Sequence, residues 1–269
     1  MNHFRPLLRR EIKEKVSSDP IALLFSGGTD SLTVLWTLLD LGVDVTCYTF
    51  RLEQVESKDC IISKQVCDHW GVPYKETIIP YKEESLLLEE IKDFVRWMRT
   101  DRKTHIECTW PFTYLTSVIK EEQVWCALNA DDLWGSSKKM SIKYYKDSEG
   151  FKEERERLLL DPRTSAWVYI DQLFKEQSKT LLSPYRFPVI QEYLLGLTWK
   201  ELNKPKQKMI AYEAFKEEYT QMPIYRVNDN LQCGSGIREY LARLAPDGNI
   251  RGLYRRLYEE VKNNQLALV

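Results

Sequence analysis

The feature that most constrains this chain is a glycine-containing turn at residues 26–31, which reads Ser-Gly-Gly-Thr-Asp-Ser. An apolar, β-rich run at 21–25 precedes the turn, and a helical pattern at 29–41 begins inside it. At such a turn, glycines let the backbone approach an anion closely, while successive N–H groups and the helix dipole favour negative charge. The loop lacks the GxxxxGK[ST] pattern and its lysine, which argues against the β/γ-phosphate site of a P-loop ATPase. The turn therefore predicts a phosphate site for a different nucleotide chemistry, with Asp30 as a magnesium ligand; the competing interpretation is a plain glycine turn.

Short β-rich runs alternate with helical patterns through the first half of the chain. This alternation is typical of βαβ units, in which the strands are parallel. One run, at 123–129, is almost continuously apolar, as expected for a strand buried on both faces. We therefore predict an α/β fold with a parallel sheet whose strands lie at 21–25, 43–50, 72–79 and 123–129, with helices at 29–41, 56–70 and 82–98.

The sequence changes character after Gly135, which suggests three parts. Residues 1–135 are expected to form the α/β domain that carries the phosphate loop. Residues 136–157 are highly charged and have little periodic apolar content, so we expect a mobile loop or lid. Residues 158–269 show helical patterns and no convincing strand, and we expect a helical lobe that completes the active site.

Charge and cysteine content narrow the class of protein. Thirty-nine Lys and Arg residues face forty Asp and Glu residues, which gives no overall charge suited to a dedicated nucleic-acid or membrane-surface binder. The balanced total still leaves room for a local basic patch. No apolar run approaches the ~20 residues that cross a bilayer, and the six cysteines form no CxxC pair. We expect a soluble, cytoplasmic protein with reduced thiols.

The phosphate loop and a second segment resemble those of known enzymes. The SGGxDS loop is similar to that of the ATP pyrophosphatase (PP-loop) superfamily, which implies an adenine nucleotide alpha hydrolase-like (HUP-type) fold. Residues 127–135 read Ala-Leu-Asn-Ala-Asp-Asp-Leu-Trp-Gly and resemble the GEGxDELFGG segment of asparagine synthetases and β-lactam synthetases. Because this segment follows a strand, Asp131 and Asp132 should lie at the carboxyl edge of the sheet, where such folds bind ligands. Taken alone, the acidic pair could instead be an ordinary helix start.

A third segment, at 204–215, resembles the KxxLRxAF segment of the same family and places its lysine at Lys208. The resemblance implies that Lys208 stabilises negative charge on the α-phosphate, whereas a lysine-rich helix start is ordinarily solvated surface. Lys206 is near enough to substitute, although on a helix that begins at Lys208 it should point elsewhere. The resemblance further implies three sets of roles: catalysis by Lys208, Asp131 and Asp132; magnesium binding by Asp30 and Asp131; and ATP binding by Ser26, Gly27, Gly28, Asp30 and Ser31, with Phe25 and Phe50 beside adenine.

The implied reaction is the adenylation of a carboxylate with release of pyrophosphate, followed by amide formation. ATP and Mg2+ would be the cofactors. The partners would be a small-molecule carboxylate and ammonia or an amine, which a separate glutaminase could supply because no glutaminase cysteine opens this sequence. The family's glutamate is replaced by Leu128 and its arginine by Tyr212. Its E-x-R-x-P-F-x-D stretch aligns with residues 180–187, where the acid, the arginine and the aspartate are lost, so recognition of aspartate is not implied. Two alternatives stay open: a pyrophosphatase that modifies a nucleobase or tRNA, and a non-catalytic nucleotide-binding module.

Overall fold

The computed structural model describes residues 3–161, 165–222 and 231–266. A five-stranded, entirely parallel sheet runs through its centre in the order β3-β2-β1-β4-β5. From β1 the chain adds β2 and β3 on one side of the sheet, and it then crosses over to add β4 and β5 on the other side of β1. The loops after β1 and β4 therefore lead in opposite directions, which makes the space between these two strands a topological switch point. Open α/β sheets bind their ligands in the crevice at this point. The strands are Ile21–Leu24 (β1), Val45–Leu52 (β2), Tyr74–Ile79 (β3), Gln123–Trp125 (β4) and Thr180–Leu182 (β5).

Helices cover both faces of the sheet, and the predicted α/β fold with a parallel sheet is confirmed. The predicted helix at 56–70 ends at Gly71, which adopts the left-handed conformation (φ 67°) expected of a glycine cap. The helices are Phe4–Lys13 (α1), Thr29–Asp40 (α2), Lys58–Trp70 (α3), Glu84–Met98 (α4), Lys103–Thr109 (α5), Phe112–Val118 (α6), Ala130–Trp134 (α7), Lys138–Tyr144 (α8), Ser148–Leu160 (α9), Trp167–Glu176 (α10), Pro188–Leu195 (α11), Trp199–Asn203 (α12), Met209–Ala214 (α13), Lys216–Gln221 (α14), Leu231–Gly234 (α15), Ile237–Ala242 (α16) and Ile250–Leu266 (α17), with a 3₁₀ turn at Pro184–Arg186.

Two expectations about secondary structure are wrong. The segment 136–157, expected as a loop, forms α8 and most of α9, because Ser137 and Asp147 cap the two helix starts and Phe151 and Arg155 are fully buried. The part after 158, expected to lack strands, contributes β5, which pairs with β4. Three residues are too few to display the alternation that identifies a strand. The division into a domain, a lid and a lobe remains a prediction.

Two apolar cores lie on opposite faces of the sheet, because successive strand side chains point to opposite sides. Ile21 and Leu23 belong to one core, together with Trp36 of α2, whereas Ala22 belongs to the other, together with Tyr254 of α17. Burial of such side chains contributes roughly 1.5–3 kcal/mol each, so both faces hold the strand ends in fixed positions. Among the helices that the structure describes, none is long and apolar enough to cross a membrane.

Candidate active site

The phosphate loop contains a glycine in the left-handed conformation. Gly27 lies at φ +67°, and a Cβ atom there would come within 2.7 Å of the Ile62 side chain, so only glycine fits. The Ser31 hydroxyl donates to the Gly28 carbonyl at 3.0 Å and lies 3.3 Å from the Ser26 hydroxyl. Gly28 caps α2 without a side-chain hydrogen bond to its first amides. The first amides of a helix have no partner within that helix, so those of α2 are available as anion donors in the phosphate loop.

Three segments that are distant in sequence meet beside this loop in an ion-paired cluster. The Lys208 ammonium donates to Asp30 Oδ2 at 2.6 Å and to Asp131 Oδ1 at 2.8 Å. Asp30 comes from the first turn of α2, Asp131 from α7 after β4, and Lys208 from the residue before α13. Lys208 is only 5% exposed and Asp30 9%, whereas the Asp131 side chain is 72% exposed. The solvated surface lysine considered from the sequence is therefore excluded.

Burial and charge act against each other in this cluster. Burial raises the pKa of Asp30 to about 6, while the Lys208 ammonium and the Trp134 hydrogen bond act in the opposite direction. Burial also acts to lower the pKa of Lys208, but the charges of Asp30 and Asp131 outweigh it and hold that pKa above its ordinary value. The lysine is therefore a fixed cation at neutral pH.

Two buried residues without a predicted role complete a circuit around this cluster. The Trp134 indole N–H donates to Asp30 Oδ1 at 2.8 Å. The Trp134 carbonyl accepts from the Asn203 amide at 2.9 Å, and the Asn203 side-chain oxygen accepts from the Lys208 backbone N–H at 3.3 Å. Each oxygen of Asp30 thus has its own donor. Trp134 lies inside the segment singled out from the sequence, but nothing in the pattern signals its contact with Asp30.

The circuit also fixes the lysine's backbone. Lys208 adopts a left-handed conformation (φ 58°), which costs a residue with a side chain about 1–2 kcal/mol. The hydrogen bond from its N–H to Asn203 and its ion pair with Asp30 hold it there. Lys208 therefore precedes α13 instead of starting it, and Lys206 does not point elsewhere: it lines the same cavity, with its ammonium 3.5 Å from the centre of the Tyr212 ring.

Asp132 has a different environment from Asp131. Its Oδ2 accepts from the Asn129 amide at 2.9 Å, and the Asn129 side-chain oxygen accepts from Arg186 at 3.2 Å. Burial raises the pKa of Asp132, with the Asn129 hydrogen bond opposing this effect. The acidic pair thus combines an exposed ion-paired carboxylate with a half-buried, amide-bonded one, and both line the cavity.

A cavity of about 870 Å3 opens over the switch point between β1 and β4. Its apolar end includes Phe112, which packs edge to face on Phe50 with ring centres 6.1 Å apart. The other end holds the phosphate loop and the ion-paired cluster. Gly27 is not part of the lining, because it supports the turn against α3; the sequence-predicted residues that line the cavity are Phe25, Ser26, Gly28, Asp30, Ser31, Phe50, Asp131, Asp132 and Lys208.

The donor set at the polar end fits a magnesium ion. Asp30 Oδ2 and Asp131 Oδ1 both accept from the Lys208 ammonium, at 2.6 and 2.8 Å, so the lysine brings two carboxylate oxygens together beside the phosphate loop. In the described part of the chain, no three His, Cys, Asp or Glu side chains form a metal-binding group. Mg2+ nevertheless needs only one or two carboxylates when waters and substrate phosphates complete its shell.

Comparisons with known proteins give one extended match and several partial ones. The family described as asparagine synthase matches residues 3–207, and the match ends one residue before Lys208. Two curated proteins, both called 7-cyano-7-deazaguanine synthase, are 36% identical: one from Methanoregula boonei over 53 residues (20% of this chain and 24% of that protein) and one from Marinomonas sp. over 58 residues (22% and 26%). The chain thus spans about a quarter of the length of these curated relatives.

The solved structures that resemble this chain share little sequence with it. The U34-tRNA thiolase NcsA from Methanococcus maripaludis, solved with its [4Fe-4S] cluster, has a TM-score of 0.40 and 15% identity, covering 95% of this chain and 80% of that one. The NH3-dependent NAD synthetase from Campylobacter jejuni has a TM-score of 0.32 and 13% identity, covering 84% and 96%.

Proposed function

Because this chain belongs to the asparagine synthase family of ATP-using PP-loop enzymes, we propose that it adenylates a carboxylate and joins the acyl group to ammonia or an amine. The carboxylate oxygen attacks the α-phosphorus of ATP, and the bond to the β-phosphate breaks to release pyrophosphate. The nitrogen then attacks the acyl carbon, AMP leaves, and an amide remains. Because a free carboxylate is a poor electrophile, adenylation supplies the leaving group that the second step needs.

The observation that carries this proposal is the meeting of Lys208, Asp30 and Asp131 beside the phosphate loop. Ser26, Gly28 and Ser31 would bind the departing pyrophosphate, through backbone amides and hydroxyls. Lys208 would stabilise the charge that develops on the α-phosphate, since a fixed cation in a buried site needs little reorganisation as the charge appears. Phe25 and Phe50 would lie beside the adenine, at the apolar end of the cavity.

Asp30 and Asp131 would hold Mg2+ in this scheme. When bound, the ion neutralises phosphate charge and helps to orient the nucleotide. The protein's part is to hold the two carboxylates together, and Trp134 fixes the orientation of Asp30 by donating to its Oδ1.

One part of the cavity departs from the family pattern. Leu128, in place of the family's glutamate, lines the cavity and provides no carboxylate. Asp132 is the neighbouring acid that lines the same wall, and its pKa is raised by burial, so its carboxylate would take the proton from the attacking nitrogen.

Product analysis tests the proposal directly. The purified chain is incubated with Mg-ATP and a panel of carboxylates, with and without ammonia, and nucleotides are separated by chromatography. We expect AMP and pyrophosphate, exchange of labelled pyrophosphate into ATP with the acid alone, and an amide by mass spectrometry when ammonia is present. ADP and orthophosphate as products would refute the proposal, and so would pyrophosphate release that is independent of every acid.

A second candidate reaction acts on a nucleobase. The observation that favours it is the partial match to two proteins called 7-cyano-7-deazaguanine synthase. The same loop and lysine would serve, because a carbonyl or carboxyl oxygen of a base can be adenylated in the same way. Adding purine carboxylic acids, nucleosides and tRNA to the panel separates the two candidates. If the chain acts on a nucleobase, exchange of labelled pyrophosphate into ATP should occur only with these compounds and not with the other carboxylates.

A further inference from the structure

A second concave site lies apart from the catalytic cavity. It is a depression of about 480 Å3 between the start of α5 and one side of α17, and it shares no lining residue with the catalytic cavity. Its lining is mostly cationic: it contains Arg102, Lys103, Arg251 and Arg255, together with Asp101, Thr104 and His105. This concentration of positive charge contrasts with the whole chain, whose formal charge is −1.

The cations of this depression are not neutralised equally. Lys103 forms an ion pair at 2.7 Å with Glu107, which is itself buried. The guanidinium groups of Arg102, Arg251 and Arg255 are exposed, and none forms an ion pair with a carboxylate in the described ranges 3–161, 165–222 and 231–266. Three unpaired guanidiniums around one depression repel each other, and an anionic ligand would offset that repulsion.

The backbone that presents these arginines is well anchored. Helix α17 packs against α4 and α5, and its buried side, which includes Leu253 and Leu257, belongs to one of the two cores. Arg251 and Arg255 are one turn apart on the exposed side, about 6 Å along the helix axis. Two guanidiniums at this spacing can each bind a separate phosphate group in a bidentate manner.

We infer that this depression, defined by Arg102, Arg251 and Arg255, binds an anion that carries two or more phosphate groups. The inference is independent of the proposed function, since no residue of the catalytic cavity takes part. Two sources share this chemistry: the phosphodiester backbone of an RNA and a small molecule with a diphosphate. The two sources can be distinguished, because the same arginine variants would weaken RNA binding in one case and pyrophosphate binding in the other.

The test compares the intact chain with two variants of α17. Arg251→Gln/Arg255→Gln removes both helical cations, whereas Arg256→Gln removes an exposed arginine of the same helix that does not line the depression. Binding of a labelled 20-nucleotide single-stranded RNA is followed by fluorescence anisotropy at several salt concentrations. Binding of inorganic pyrophosphate is followed by titration calorimetry, which gives the number of sites.

For an RNA ligand, the double variant should bind at least tenfold more weakly. Loss of two phosphate contacts on a single strand should also reduce the slope of log binding constant against log salt by about 1.4. For a small diphosphate, the double variant should lose one pyrophosphate site while its RNA binding is unchanged. In both cases Arg256→Gln should behave like the unmodified chain. Equal effects of the double variant and Arg256→Gln would overturn the inference, as would unchanged binding of both probes in the double variant.

Discussion

Lys208→Met is the most informative substitution in this chain, because it removes one charge and keeps most of the aliphatic volume. The side chain is buried and makes two charge-assisted hydrogen bonds, of 2.6 Å to Asp30 and 2.8 Å to Asp131. Asp131 is mostly exposed, so its share of the interaction is screened by water. The effect of the substitution therefore falls mainly on Asp30 and on the phosphate that Lys208 would face.

Two magnitudes follow from this geometry. Loss of a preorganised charge next to a reacting group typically costs ~3 kcal/mol, or about a hundredfold in rate. Removal of one partner of a buried ion pair also destabilises a fold by roughly 3–5 kcal/mol. The hydrogen bond that Asp30 keeps from Trp134 offsets part of this loss. We therefore expect the rate of acyl-adenylate formation to fall about a hundredfold and the free energy of unfolding to fall as well.

Single-turnover measurement of pyrophosphate release gives the chemical step, and equilibrium titration with a fluorescent ATP analogue gives nucleotide affinity. Nucleotide binding should survive, because the phosphate loop and the aromatic end of the cavity are unchanged. Lys216→Met, an exposed lysine at the start of α14, is the matched control and should change neither quantity. Lys206 is unsuitable as a control because it lines the cavity. A chemical step within about threefold of the unmodified chain in Lys208→Met would refute the catalytic assignment, since ~0.7 kcal/mol is too little for a fixed charge at the reacting centre.

Other substitutions test separate parts of the site. Asp30→Asn keeps the shape of the side chain but removes an anionic ligand for Mg2+, so ATP-to-pyrophosphate turnover should be lost while the circular dichroism spectrum is retained; turnover within about twofold would contradict the ligand assignment. Trp134→Phe keeps the ring but removes the donor to Asp30, and urea unfolding should show a loss of about 2 kcal/mol; an unchanged midpoint would mean that the hydrogen bond contributes nothing. Arg155→Met removes a buried guanidinium that donates to five backbone carbonyls, and the melting temperature should fall by several degrees because a loss of about 3 kcal/mol is expected; a rise would show that desolvation of the charge outweighs its bonds. For the lid, ATP should slow hydrogen exchange in α8 and leave α9 unchanged, because Arg155 already ties α9 to α7 and α11; equal protection of both helices, or of neither, would rule out α8 as the closing element.

The sequence was sufficient to predict four of the five strands and the turn of the phosphate loop, because both depend on local patterns. The loop is an example: the sequence predicts a glycine turn between a strand and a helix, and the structure has β1, a left-handed Gly27 (φ +67°) and α2 in that order. The meeting of Asp30 and Asp131 was also predictable, since parallel strands end at one edge of the sheet. The same reasoning failed for β5, whose identity as a strand comes from pairing with β4 and not from its own three residues.

The helices at 138–144 and 148–160 were missed for a different reason. Their stability comes from a few tertiary contacts, of which Arg155 is the most extensive, and a buried arginine without a carboxylate partner is indistinguishable from a surface arginine in a sequence. Trp134 and Asn203 are similar cases. Their contribution lies in hydrogen bonds to residues far along the chain, and a single sequence carries no signal for such pairs.

The hydrogen-bond circuit also bears on which parts of the site can move. Asp30, Trp134, Asn203 and Lys208 are linked in a closed ring, and all four are buried. Opening any one link would leave a buried polar group unsatisfied, at a cost of about 1–3 kcal/mol. The phosphate loop and the lysine therefore behave as one rigid unit, although 178 residues separate Asp30 from Lys208. A site assembled in this way can orient ATP without a large rearrangement, so any closure that excludes water must come from segments outside the ring.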